Sequence, residues 1–175
     1  MLQEIQGDLF ESKEKYIVHQ CNCVTTRAAH LAADVFRRFP YADVYTCRDP
    51  NMQKRAVFDN ENKQIQPEYY SDKPGNIIVR GNGADQRYVI AILGQFYPGR
   101  PRYSDSRLDG VKARQSYFHQ GLWKIAQVEG LESVAFPRGI GCGAAGGDWS
   151  FYRKMIKKFA DYLGDGVKTV IYEKY

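Results

Sequence analysis

The stretch from Ser133 to Trp149, SVAFPRGIGCGAAGGDW, constrains what this 175-residue chain can fold into more than any other. It opens with a short apolar run, Val134-Ala135-Phe136, of the kind that makes a buried strand, and Pro137 stops that run. Five glycines follow between Gly139 and Gly147. Asp148-Trp149 then lead into a segment whose apolar residues Tyr152, Met155, Ile156, Phe159 and Leu163 recur at helical spacing. The order is strand, glycine-rich loop, helix start. In an open α/β sheet, ligands bind in the crevice outside the carboxyl ends of the strands, where such loops lie. Glycine lets the backbone approach an anion closely and turn several N–H groups toward it. The plainer reading is a loop whose only device is Asp148 as a helix cap. The stretch has neither the Gly-Lys-Ser/Thr of a Walker A loop nor a G-x-G-x-x-G fingerprint, so it needs a second stretch to become a site.

That second stretch is Tyr16 to Asn22, YIVHQCN, a β-rich run expected deep in the sheet. Asn22 ends it, and its carboxamide can both donate to and accept from a ribose hydroxyl or a water; the alternative is a turn-forming asparagine. His19 is either a proton carrier or a histidine packed on the sheet face. Thr25, Thr26 and Arg27 come next, before Leu31, Ala32, Val35, Phe36 and Phe39 line one face of a helix that Pro40 ends. The threonines read as a helix start, able to cap the helix or to hold an anion at its positive end.

Elsewhere, Leu2 to Gln6 alternates as a half-buried strand would, and Gly7-Asp8 closes it. Tyr41 to Asp72 shows no clear period. Gly75–Val79 and Tyr88–Leu93 read as two strands joined by a Gly/Asn/Asp turn, hence antiparallel. Gln95 to Arg107 is a Pro/Gly/Tyr-rich loop, and Leu108, Val111, Phe118, Leu122 and Ile125 mark a long helix. A strand from Val167 to Tyr172 closes the chain. The expected architecture is a three-layer α/β domain with a central mixed sheet, spanning residues 1–175.

Composition narrows the function classes. No run of about 18 apolar residues exists, so no membrane span is expected, and the first residues lack the basic segment of a secretory signal. The four cysteines show neither a disulfide framework nor zinc-ligand spacing, so no metal or cofactor is expected. A reducing cytoplasm or nucleus fits that usage. A net charge of +5 suits an anionic partner. A nucleic acid is the lesser alternative, because no interleaved aromatic–basic motif is present.

In their order along the chain these pieces resemble the macrodomain family of ADP-ribose-binding modules. The resemblance rests on the strand ending Gly7-Asp8, the V-H-Q-C-N run Val18–Asn22, the helix ending Arg37-Arg38-Phe39-Pro40, the I-G-C-G-A-A-G-G-D-W loop Ile140–Trp149, and the last strand finishing on Tyr172. The His-x-Cys-Asn-Cys form and the Trp after the loop look most like the branch containing ADP-ribose-1″-phosphate phosphatases. The resemblance implies that Asp8, with Leu9 beside it, holds the adenine amine and that Tyr172 stacks on the adenine. Gly141, Cys142, Gly143, Ala144, Ala145 and Gly146 would wrap the diphosphate, with Gly139 and Ile140 also binding the ADP-ribose. Asn22 would hold the distal ribose, with Gln20 nearby and Thr25 to His30 as the opposite wall.

The chain also departs from the pattern. Arg27-Ala28-Ala29-His30 stands where the family has a glycine-rich loop, so His30 joins His19 as a candidate acid–base group. Ala145 stands where one hydrolase branch has its catalytic aspartate, and no matching lysine lies near Gln95. The expectation is therefore a monomeric domain that binds ADP-ribose or ADP-ribosylated protein. It would hydrolyse a substituent of the terminal ribose, either a 1″-phosphate or an ester to a protein carboxylate. Asn22, His19 and His30 are the candidate catalytic residues, and a non-catalytic reader of ADP-ribose is the alternative.

Overall fold

A computed structural model describes residues 1–61, 71–101 and 107–174, with the side chains of 57–61 left aside. Six strands, β1 (Leu2–Gln6), β2 (Tyr16–Cys21), β3 (Ile77–Arg80), β4 (Tyr88–Leu93), β5 (Ser133–Pro137) and β6 (Lys168–Glu173), form one sheet in the order β1-β6-β5-β2-β4-β3. All neighbours run parallel except the β3–β4 hairpin, which is antiparallel as its turn sequence predicts. The helices are α1 (His30–Arg38), α2 (Met52–Glu61), α3 (Val111–Ala126) and α4 (Trp149–Leu163).

The side-chain alternation of β2 assigns the layers. Its Tyr16 and Val18 pack with Phe118, Leu122 and Ile125 of α3 and with Tyr152, Ile156 and Phe159 of α4. Its Cys21 packs on the opposite face with Val35 and Phe36 of α1 and Ala56 of α2. The result is the expected three-layer arrangement, with α3 and α4 on one face and α1 and α2 on the other. Two expectations change in detail. Strand β1 is an edge strand, exposed at Gln3 to Gln6 rather than half-buried, because only β6 pairs with it. Helix α3 starts at Val111 rather than Leu108. The preceding Asp109 is fully buried, with its carboxylate accepting the Phe96 and Tyr97 N–H groups at 2.7 and 3.3 Å.

The sheet also positions a crevice. Strands β2 and β5 pair only at Tyr16–Val134 and Ile17–Ala135. Beyond that pair β2 continues beside β4 to Cys21, while β5 ends at Pro137 beside Tyr172 of β6. The chain leaves β2 toward β4 and β3, and leaves β5 toward β6. This reversal of strand order is the point at which open α/β sheets leave a binding crevice.

Candidate functional site

A cavity of about 310 Å³ lies at that crevice. One wall is the glycine loop, Pro137 to Ala145; the other is Ala29 to Ala32 at the start of α1; Gln20, Asn22, Tyr45, Gln95, Pro98 and Gly99 also line it. Among the described residues no Asp or Glu lines the cavity, whereas Arg27, His30 and Arg138 do.

Both walls present backbone donors. In the glycine loop, Cys142 N–H bonds Gly139 O at 2.8 Å, Gly146 N–H bonds Gly143 O at 3.1 Å, and Gly147 N–H bonds Gly141 O at 3.1 Å. These bonds fold the loop back on itself. They leave the N–H groups of Gly141, Gly143, Ala144 and Ala145 with no protein acceptor among the described residues. Across the cavity, α1 is capped by Ala29, which has no side-chain acceptor to offer. The N–H groups of His30, Leu31 and Ala32 therefore have no protein acceptor among the described residues either. Two facing sets of open amides, one of them at the positive end of a helix, make an environment for a multiply charged anion.

The helix start corrects the reading of the threonines. Thr25 and Thr26 lie before α1 and cap nothing. Thr25 is buried, its Oγ1 3.0 Å from Asn22 Nδ2 and 3.1 Å from Asn22 Oδ1. Thr26 is half-buried, and neither threonine lines the cavity. His30 opens α1 with φ +54°, a left-handed conformation that costs a non-glycine residue roughly 1–2 kcal/mol. It sits exposed on the cavity wall.

Asn22 lines the cavity, and its surroundings fix which way its amide faces. Oδ1 accepts from the N–H groups of Val24 and Thr25, each at 3.0 Å, and from Arg48 Nη1 at 3.3 Å. A backbone amide and a guanidinium can only donate, so the oxygen must face them. The sequence allowed Asn22 to donate and to accept; in the folded chain it has only an N–H to offer a ligand. It is at once the turn-forming asparagine of the plainer reading and a wall of the cavity.

His19 is a correction. The alternation of β2 turns it away from the cavity into the α1 layer, where it is fully buried with its ring edge-on to Phe36 at 5.6 Å. Both ring nitrogens lie 3.7 Å from Cys21 Sγ. Burial holds its pKa down to about 4, so the imidazole is neutral at pH 7 and out of reach of anything in the cavity.

Asp8, Leu9 and Tyr172 form a separate group beside the cavity, one strand over. Asp8 accepts from Phe10 N–H at 2.9 Å and faces Lys174 Nζ at 3.8 Å. Leu9 packs with Ile17 and Ala135, and Tyr172 packs against the same cluster. The Tyr172 hydroxyl donates to Glu14 Oε1 at 2.5 Å. Pro137, opposite Tyr172 in the sheet register, joins this group to the cavity wall. Gly146 lies just outside the lining, against Arg100.

Sequence reasoning missed three supports. Gln95 Nε2 donates to Tyr97 O at 2.8 Å, so its Oε1 faces inward and accepts from Gln20 Nε2 at 2.7 Å. Arg114, buried beside Asp109 at 2.6 Å, donates to Gly99 O at 2.6 Å and Ala145 O at 3.4 Å, tying the Gly99 side of the cavity to the glycine loop. Its signal was present, because Arg114 falls in helical register with Phe118, Leu122 and Ile125 on the apolar stripe of α3. Arg48, beneath Asn22, lies in the aperiodic stretch and gave none.

No protein-family model matches the sequence, and no curated protein matches it. Solved structures do. The macrodomain of Mycobacterium tuberculosis DarG superposes with a TM-score of 0.65 at 21% identity, covering 98% of this chain and 97% of that one. The macrodomain of Thermus aquaticus DarG gives 0.64 at 24%, with the same coverage. A glycine-to-valine mutant of the Oceanobacillus iheyensis macrodomain, solved with ADPR, gives 0.58 at 16% over 99% of this chain and 84% of that one. The match extends over nearly the whole chain and includes the six-stranded mixed sheet with helices on both faces: the chain has the macrodomain fold.

Proposed function

We propose that the cavity binds ADP-ribose and that the chain removes a substituent from the terminal ribose. The observation that carries the reading is the pair of facing, open amide sets on the glycine loop and the start of α1, in a cavity with no carboxylate among its described lining residues. A diphosphate between them is the ligand that such a cradle suits. The distal ribose then lies toward Asn22, and the adenine toward Asp8, Leu9 and Tyr172. The O. iheyensis neighbour solved with ADPR supports the same ligand.

The chemistry follows from what the cavity holds. Asn22 donates an N–H, which orients a ribose oxygen but takes no proton from water. Among the described residues that line the cavity none is a carboxylate, so the proton of the attacking water goes to His30 or to a phosphate oxygen of the substrate itself. The candidate substrates are ADP-ribose-1″-phosphate and a protein carboxylate esterified with ADP-ribose. Incubation with each should release phosphate or free ADP-ribose. His30→Ala should lower the rate if His30 carries the proton. An unchanged rate assigns the proton to the substrate. The lack of a carboxylate among the described lining residues also favours a second reading, that of a reader which binds ADP-ribose without cleaving it. Tight binding with both substrates left intact would establish the reader and end the hydrolytic reading.

A further inference from the structure

We infer that Arg48 is a positioning residue, which sets the Asn22 amide for the ligand's distal ribose while remaining outside the cavity. The inference rests on the ADP-ribose reading above. Arg48 lies in the stretch between α1 and α2 that has no sequence period, and its side chain is 2% exposed. Its guanidinium is spent almost wholly on the turn that carries Asn22. Nη2 donates to Asn22 O at 2.8 Å, Nη1 to Thr25 O at 3.0 Å and to Asn22 Oδ1 at 3.3 Å. The other end is anchored by Asp72, with Nε to Oδ2 at 2.8 Å and Nη2 to Oδ2 at 2.7 Å.

The guanidinium stacks on the ring of Tyr45, 4.5 Å from its centroid, and the Tyr45 hydroxyl accepts the Asn22 N–H at 2.8 Å. The N–H, the carbonyl and the side-chain oxygen of Asn22 are therefore all held by Arg48 and Tyr45. With Oδ1 captured by Arg48 and two backbone amides, and one Nδ2 hydrogen given to Thr25 Oγ1 at 3.0 Å, the second Nδ2 hydrogen is what faces a ligand. A flipped amide would set Nδ2 against three donors, so the fork also prevents the wrong orientation. Lysine, with a single ammonium, cannot span Asn22 O, Thr25 O and Asp72 together.

The test compares ADP-ribose with ADP, which lacks the distal ribose, by calorimetric titration. Arg48→Lys should weaken ADP-ribose about tenfold, the size of one well-placed hydrogen bond, and leave ADP within about twofold. Added to Asn22→Ala, Arg48→Lys should reduce the preference for ADP-ribose no further, because both changes remove one interaction. Asp72→Asn, at a partly exposed carboxylate, should shift the same preference more mildly and decides the matter if Arg48→Lys does not fold. Equal weakening of both ligands would make Arg48 a purely structural residue and overturn the inference, as would a preserved preference in either variant. If wild type binds ADP-ribose but prefers it to ADP by nothing, the ribose role of Asn22 falls and the inference with it. If wild type binds neither, the ADP-ribose reading itself has failed.

Discussion

Gly143→Glu is expected to abolish ADP-ribose binding while leaving the melting temperature close to that of wild type. A Cβ at Gly143 meets nothing within 4 Å, and Gly143 is not among the glycines held at positive φ, so the backbone accepts a side chain there. The glutamate then brings a negative charge to the open amides where the proposed diphosphate would sit. Two unit charges about 4 Å apart near a protein surface repel by roughly 4 kcal/mol, a loss of about a thousandfold. Gly141 provides the contrast two residues earlier. It sits at φ +76°, and a Cβ there would lie 2.6 Å from the Tyr152 ring and 3.0 Å from Gln20 Oε1. Gly141→Ala should therefore lower the melting temperature as well as binding. Titration and thermal melting of the two variants side by side check both. Normal binding by Gly143→Glu would show that the loop is not the phosphate cradle.

Asn22→Asp is expected to keep the fold and lose turnover by about a hundredfold, the cost of a misplaced reacting group. The carboxylate can still accept from the Val24 and Thr25 amides, and its bond from Arg48 becomes charge-assisted. What disappears is the Nδ2 donor. Asn22→Ala removes the acceptor too, leaving two buried amides and part of a buried guanidinium unsatisfied, so it should also lower stability. The pair separates the two jobs of one side chain. Stability by chemical denaturation and release of phosphate from ADP-ribose-1″-phosphate are the measurements. An Asp variant that turns over at the wild-type rate would show that the donor plays no part.

What could be read from the sequence was what repeats. The alternation of β2, the helical spacing of α4 and the glycine run between β5 and α4 follow from local periodicity and turn chemistry, and together they bring Asn22 and the glycine loop to one cavity. Asp148 caps α4 as its position suggests, accepting Ser150 N–H at 3.0 Å. What escaped depends on partners distant in the chain. Thr25 and Thr26 have the composition of a helix cap, but Asn22 three residues earlier captures Thr25 in a turn, and the helix waits until His30. His19 looked available because the sequence does not say which face of β2 meets α1. Arg114 was visible as a cation on an apolar stripe, and its partners, Asp109 and the Gly99 and Ala145 carbonyls, were not. Arg48 lies in Tyr41 to Asp72, part of which, 62–70, is outside the described residues, and only the folded chain sets it beneath Asn22.

The proposed function stands or falls on the cavity between the glycine loop and α1 holding the diphosphate of ADP-ribose. Calorimetric titration of the folded wild-type chain with free ADP-ribose tests it most directly, with thermal melting at the same concentrations. Saturable binding at a single site is expected, with a melting temperature that climbs with ligand concentration, because only the native state has the cradle. A flat titration at high ligand concentration, with no shift in melting, would contradict it.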